Sequence, residues 1–270
     1  MTEPTPLSVR LIQGDTRWHD PAGNRDYYRR LIGDAGGCDL VVLPETFTSG
    51  FSNAALESAE DLQGATVRWM QSVAEETGAV ISGSIQCRDQ DQVFNRMIWA
   101  QPGCEPRHYD KVHLFRMAGE HERYGAGRAS PVFELKGWRV RPLICYDLRF
   151  PVFIRNRYDH LVGEGFDYDL LLFVANWPAP RSLAWRTLLR ARAIENLCYC
   201  IGVNRCGIDG NDVPYRGDSA AIDYLGEALV DFGSHEQVAD VHLDLAALRT
   251  HRHRFPAHQD ADRFELGAPT

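Results

Sequence analysis

The sequence predicts a mixed α/β fold of stacked layers, built as one domain. Three observations carry that expectation. Short apolar runs rich in β-branched residues recur along the 270-residue chain, and several are apolar on both faces, as strands buried between layers are. Amphipathic helical patterns separate the early runs. No linker, internal repeat or low-complexity stretch divides the chain, whose length suits one large domain or two small ones.

The apolar runs fall at residues 7–12, 40–43, 79–85, 96–100, 138–145, 170–175, 198–203, 220–222 and 238–243. Between the first two, Asp20-Pro21 reads as an N-cap followed by proline at the first helical position. The helix it opens runs toward Asp34, where Gly36-Gly37 is expected to stop it. Val67, Met70, Val73 and Ala74 form an apolar stripe at helical spacing in the next. A third helix is expected after Pro151. A fourth runs from about Ser182 to Asn196, with Trp185, Leu188, Leu189 and Ala193 facing inward. Residues 99–140 and those after Val203 look more like hairpins and loops, with turn candidates at Gly207-Ile208-Asp209-Gly210-Asn211 and Tyr224-Leu225-Gly226-Glu227.

Composition excludes several function classes. A hydrophobic share of 44% and a charged share of 24% are ordinary for a globular chain. The net charge of -8 argues against a phosphate-backbone partner, which demands a basic face. No run approaches the roughly 18 apolar residues of a membrane span. The first residues lack a basic segment followed by an apolar core, so no secretory signal is expected. Seven cysteines, an odd number without a disulfide framework, point to reduced thiols in the cytoplasm. The expectation is a cytoplasmic protein with no nucleic-acid or membrane partner.

Three residues suggest chemistry. Cys145 ends the apolar run Pro142-Leu143-Ile144, and the turn-prone, charged stretch Asp147-Leu148-Arg149-Phe150-Pro151 follows. That places a thiol at the exposed end of a buried strand. Glu45 ends the run Leu40-Val41-Val42-Leu43-Pro44, where partial desolvation suits a carboxylate to proton shuttling. Lys111 stands in Tyr109-Asp110-Lys111-Val112-His113-Leu114-Phe115, where a held cation can face an oxyanion. The Tyr146 backbone N–H, just past the thiol, is the natural second donor. Each residue alone has a plainer reading: an inert packed thiol, a surface carboxylate, a solvated lysine. Together they suggest attack on carbon–nitrogen bonds through a thioester. Cys198, Cys200 and Cys206, or His251, His253 and His258, have no zinc-motif spacing. A Cys–His pair of Cys145 with His113 is a rival arrangement.

Leu43-Pro44-Glu45, Tyr109 to Phe115 and Cys145 to Pro151 resemble, in order, the three signature segments of the nitrilase (carbon–nitrogen hydrolase) superfamily. Asn176-Trp177-Pro178 and Arg192-Ala193-Ile194-Glu195-Asn196 add further matches. The resemblance spans residues 7–245, nearly the whole chain. It implies a four-layer αββα sandwich of two mixed sheets flanked by helices, a single domain over residues 1–270 with 248–270 as a C-terminal extension, and no cofactor or metal. It assigns Glu45 as general base, Lys111 as oxyanion stabiliser and Cys145 as nucleophile. Glu120, rather than Glu122, becomes the second glutamate, because it stands seven residues before Gly127, which closes that loop; holding Lys111 by charge is its alternative role.

Within the superfamily, Phe47-Thr48-Ser49-Gly50-Phe51, His113 to Met117 and Ala175 to Arg181 most resemble bacterial omega-amidases. That implies hydrolysis of the terminal amide of 2-oxo acid amides such as 2-oxoglutaramate and 2-oxosuccinamate. Such a substrate carries a carboxylate, which a guanidinium recognises. Arg149 is one candidate, unless it only braces its turn by pairing with Asp147; Arg116 and Arg181 are others, and Phe115, Asn176 and Trp177 would line the pocket. Val152 stands where many members carry glutamate. The alternatives are an amidase for N-carbamoyl amino acids or aliphatic amides, and a non-catalytic binding module on the same fold. A homodimer is expected, with the C-terminal stretch either crossing to the partner or forming a loose tail.

Overall fold

The computed structural model describes residues 5–159, 165–262 and 264–266. Its first sheet uses β1 (Leu7–Gln13), β2 (Leu40–Val42), β3 (Val80–Asp89), β4 (Gln92–Ala100) and β5 (Arg107–Asp110). The second uses β6 (Phe133–Leu135), β7 (Trp138–Ile144), β8 (Leu170–Ala175) and β9 (Tyr199–Asn204). A hairpin of β10 (Cys206–Ile208) and β11 (Pro214–Arg216) stands apart. Strands β12 (Ala220–Ile222) and β13 (Ala228–Asp231) extend the second sheet, and β14 (Gln237–Leu243) returns to the first. The orders are β14-β1-β2-β3-β4-β5 and β13-β12-β9-β8-β7-β6. Each has a parallel centre, β1-β2-β3 or β7-β8-β9, with antiparallel edges.

Side-chain alternation along the first sheet shows how the layers form. Val9, Leu11, Leu40, Val42, Met97 and Trp99 face the second sheet, on the side of Val140, Leu172 and Ile201. Their neighbours Ile12, Val41, Ile81 and Ile98 face the other way, onto Tyr28 and Ile32 of α1 (Pro21–Ile32) and Val67, Met70 and Val73 of α2 (Ala65–Thr77). Two short helices follow, α3 (Glu120–Arg123) and α4 (Pro151–Ile154). Helix α5 (Ser182–Asn196) covers the second sheet with Trp185, Leu189 and Ala193, while Leu188 is half-buried. The architecture is the expected αββα sandwich.

Several boundaries differ from the sequence reading for local reasons. Asp20 caps α1 as expected, accepting from the Gly23 N–H, but the helix ends at Ile32 because Gly33, at φ 61, takes the capping position; the later Gly36 lies in a separate 3-10 turn. The helix after Pro151 lasts a single turn. Both turn candidates lie in hairpin connections, one between β10 and β11 and one between β12 and β13. Residue 248, expected to begin an extension, lies inside α6 (Leu245–Arg254), whose Leu245 and Leu248 enter the core. Buried Arg252 of α6 donates to Asp169 at 2.7 Å and to the Leu197 and Tyr168 carbonyls. That helix has only two apolar anchors and a polar remainder, so its pattern in the sequence is weak.

Candidate active site

Strand direction gathers the site. β5 is antiparallel to β4 and β4 to β3, so β5 runs with β2, and their carboxyl ends share one edge of the first sheet. Parallel β7 and β8 present theirs on the second. Glu45 follows β2, Lys111 follows β5, Cys145 follows β7 and Asn176 follows β8. All four line one cavity of ≈ 530 Å³. Clefts at the carboxyl ends of parallel strands are the usual ligand sites of α/β sheets.

The floor is buried and densely bonded. Glu45 Oε1 accepts from Lys111 Nζ at 3.1 Å and Asn95 Nδ2 at 2.7 Å, and Oε2 accepts from the Asn176 N–H at 2.6 Å. Glu120 is fully buried behind Lys111, whose Nζ donates to both its oxygens at 3.0 Å. The Phe115 N–H also donates to Glu120, at 2.6 Å. Glu122, by contrast, is exposed. Gly127 lets its loop pass close: a Cβ there would lie 2.1 Å from the Asp110 carbonyl, and its N–H donates to the Lys111 carbonyl at 2.9 Å. Burial works against the Lys111 charge, but Glu120 and Glu45 outweigh it and hold the ammonium well above the usual lysine value. Burial also pushes the Glu120 carboxyl up, and Lys111 opposes it.

Cys145 sits at φ 45, in the left-handed region, half-buried at the first position past β7. Thr46, just past Glu45, has φ 42. Such conformations cost about 1–3 kcal/mol and persist only where the surroundings enforce them. Here Asp147 does so for Cys145. Its carboxylate accepts from the Ile144 N–H at 3.0 Å, the His113 N–H at 3.0 Å and the Tyr109 hydroxyl at 2.7 Å, tying the thiol's turn to the Lys111 segment. From the other side Arg192 of α5 donates to the Leu148 carbonyl at 2.7 Å and 3.1 Å. Burial pushes the Cys145 thiol well above its usual pKa; Glu45 adds to this and Lys111 opposes it. A thiol so placed favours its protonated form, and nucleophilic attack by such a group requires a base.

Phe115, Tyr146, Arg149, Asn176, Trp177 and Arg181 also line the cavity. Arg149 makes no ion pair among the described residues and stacks on Trp177, 4.9 Å from the ring centre. Asp147 is occupied elsewhere, so the bracing role considered for Arg149 is not the observed one. Arg181 stacks on Phe115 at 5.3 Å. Arg116 is exposed and does not line the cavity. His113 is not part of the lining either: its Nδ1 lies 2.8 Å from Asp147 and its ring stacks on Phe150. That disposes of a Cys–His pair. Val152 is exposed on α4. Cys198 and Cys200 are buried, and no cluster of potential metal ligands occurs among the described residues.

Sequence reading missed two contributors. Asn95 lies just outside the apolar run 96–100, which hides it; alternation places it on the face of Met97 and Trp99, where a polar residue is a signal. The β10–β11 hairpin, expected from the sequence as a hairpin region but without a site role, brings Asp209, Asn211, Val213 and Tyr215 to the cavity wall.

Comparisons with known proteins agree with this geometry. The chain matches the carbon-nitrogen hydrolase family over residues 8–253. It is 46% identical to omega-amidase YafV of Escherichia coli (strain K12), covering 96% of this chain and 98% of that one. Identity to the 2-oxoglutaramate amidase of Bacillus subtilis is 34%, covering 94% and 96%. The crystal structure of XC1258 from Xanthomonas campestris, a CN-hydrolase superfamily protein with an arsenic adduct in its active site, superposes with a TM-score of 0.95 at 56% identity, covering 97% of this chain and all of that one. This chain belongs to the carbon-nitrogen hydrolase family, and among its relatives resembles the omega-amidases.

Proposed function

We propose that this enzyme hydrolyses the terminal amide of 2-oxo acid amides, such as 2-oxoglutaramate and 2-oxosuccinamate, to the 2-oxo acid and ammonia. The observation that carries the reading is one cavity with two unlike ends. Glu45, Lys111 and Cys145 meet at its floor, and Arg149 and Arg181 stand on its wall without carboxylate partners among the described residues. An acyl group with an anionic far end suits that division. The omega-amidase and 2-oxoglutaramate amidase relatives support the substrate class.

In this scheme Cys145 Sγ attacks the amide carbon while Glu45 takes the thiol proton. Oε1 of Glu45 already holds two donors and Oε2 one, so Oε2 has the free lone pair. Lys111 Nζ and the Tyr146 N–H stabilise the oxyanion. Glu45 returns the proton to the nitrogen, ammonia leaves and a thioester remains. Water then gives a proton to Glu45 and attacks the thioester, and the thiol regains its proton as the acid departs. Glu120 holds Lys111 in place; every oxygen of its carboxylate already accepts from two donors.

We read the protein further as a cytoplasmic homodimer; its seven free thiols fit a reducing compartment. Among the described residues no helix is long and apolar enough to cross a membrane. Ammonia release measured across 2-oxoglutaramate, 2-oxosuccinamate, aliphatic amides, N-carbamoyl amino acids and nitriles tests the substrate. A preference for anything but the 2-oxo acid amides defeats this assignment and leaves the family standing.

A further inference from the structure

One buried side chain at the cavity floor has no part in that scheme. Asn95 on β4 is wholly buried. Its Nδ2 donates to Glu45 Oε1 at 2.7 Å and to Glu120 Oε1 at 3.4 Å. Its Oδ1 accepts from Ser84 Oγ at 2.8 Å, and that same Oγ accepts from the Thr46 N–H at 2.9 Å. The polarity of this chain is forced. Thr46 N–H can only donate, which leaves the Ser84 hydroxyl hydrogen for Asn95 Oδ1. A flipped amide would set its oxygen 2.7 Å from a carboxylate oxygen, acceptor against acceptor.

Charge makes that orientation matter. Two carboxylates, Glu45 and Glu120, share one ammonium, Lys111, and all three side chains are almost wholly buried. Cys145 past β7, Tyr124 past α3 and Tyr215 on β11 also interact with them, and none of these is a cation; Arg149, Arg181 and Asp209 line the same cavity, and no ion pair joins either arginine to the two glutamates among the described residues. Lys111 must serve both oxygens of Glu120 as well as Glu45. Asn95 is the neutral donor common to the two carboxylates.

We propose that Asn95 is a positioning residue that sets the proton affinity of Glu45, and that Ser84, reading the strained Thr46 backbone, fixes the direction in which Asn95 donates. This rests on Glu45 being the general base. Losing a donor to an ionised carboxylate raises its pKa, so the acid limb of the activity profile moves upward.

The test is the pH profile of kcat/KM for the full chain, with the amide that gives the fastest ammonia release. Asn95→Leu is expected to move the acid limb up by about one pH unit, the usual size for one hydrogen bond to a charged carboxylate. Asn95→Asp keeps the shape but adds a third carboxylate, and should move the limb further. Ser84→Ala should move it in the same direction by less. If Asn95→Leu does not fold, as thermal melting would reveal, the other two variants decide. A limb unmoved in the folded variants, or a uniform loss of rate at every pH, overturns the proposal and makes Asn95 merely structural. Glu45→Gln separates the two readings: retained activity removes Glu45 as base, whereas an inactive Glu45→Gln beside an unmoved limb removes only the role of Asn95.

Discussion

The floor and the wall of the cavity are built on opposite principles. At the floor Glu45, Lys111, Glu120 and Asn95 are almost wholly buried, and each charged group is held by at least two fixed partners. On the wall Arg149 and Met117 are exposed and Arg181 half-exposed; the arginines rest on aromatic faces, without ion pairs among the described residues. Burial makes the floor's electrostatics strong and its geometry single-valued, which suits reaction chemistry. The wall keeps its charges solvated and available, which suits recognition of a part of the substrate that does not react.

That contrast predicts unequal consequences. Cys145→Ala should abolish turnover, lowering kcat on the order of 10⁴-fold or more, as loss of a nucleophile does; steady-state ammonia release measures it, and residual hydrolysis within tenfold of wild type would break the distinction at its strongest point. Asp169, buried behind the second sheet with Arg139 and Arg252, separates stability from catalysis. Burial would raise its pKa, but the two guanidinium groups hold it below the usual carboxylate value. Its stabilisation is therefore complete above the unfolded pKa, about 3.9, and fades as pH falls through the lower folded value. Asp169→Asn should cost about 3 kcal/mol in urea unfolding at neutral pH. The gap from wild type should narrow below about pH 3, with KM unchanged.

Arg149→Leu comes next. It should raise KM for 2-oxosuccinamate about tenfold, a value discounted for exposure, and leave a neutral aliphatic amide nearly unaffected. An equal loss for both substrates would make Arg149 part of the floor. Met117→Ala, on an exposed side chain of the cavity wall, should change kcat/KM by less than about threefold. A larger effect measured on the same pair of amides would show that the wall orders on binding.

Legibility followed the same division. At the floor, Glu45 and Cys145 end apolar runs and Lys111 follows the polar strand β5; each alone has a plainer reading, and it is the three signature segments in order that single them out. Asn95 was legible in principle, since alternation from Met97 and Trp99 assigns it to the buried face, but a run defined by apolarity alone excludes it. The roles of Arg149, Arg181 and Arg116 were not separable, because all three follow motif residues by similar short steps. Only the loop paths turn two toward the cavity and one away. The β10–β11 hairpin carries no chemical motif, and its contribution to the wall depends on a long-range approach that no local pattern records.

By itself the amino-acid sequence determined the layered α/β class, most of the strands and helix α5 almost to the residue, because these depend on local periodicity; its signature segments also singled out Glu45, Lys111 and Cys145, which the fold brings to one cavity. Tertiary structure alone decided that α6 joins the core, that Asp147 locks the Cys145 turn rather than pairing with Arg149, and that Ser84 and Asn95 connect a strained backbone to two carboxylates. Those outcomes depend on partners 11 residues apart for Ser84 and Asn95, 38 for Tyr109 and Asp147 and 83 for Asp169 and Arg252, which only the packed chain brings together.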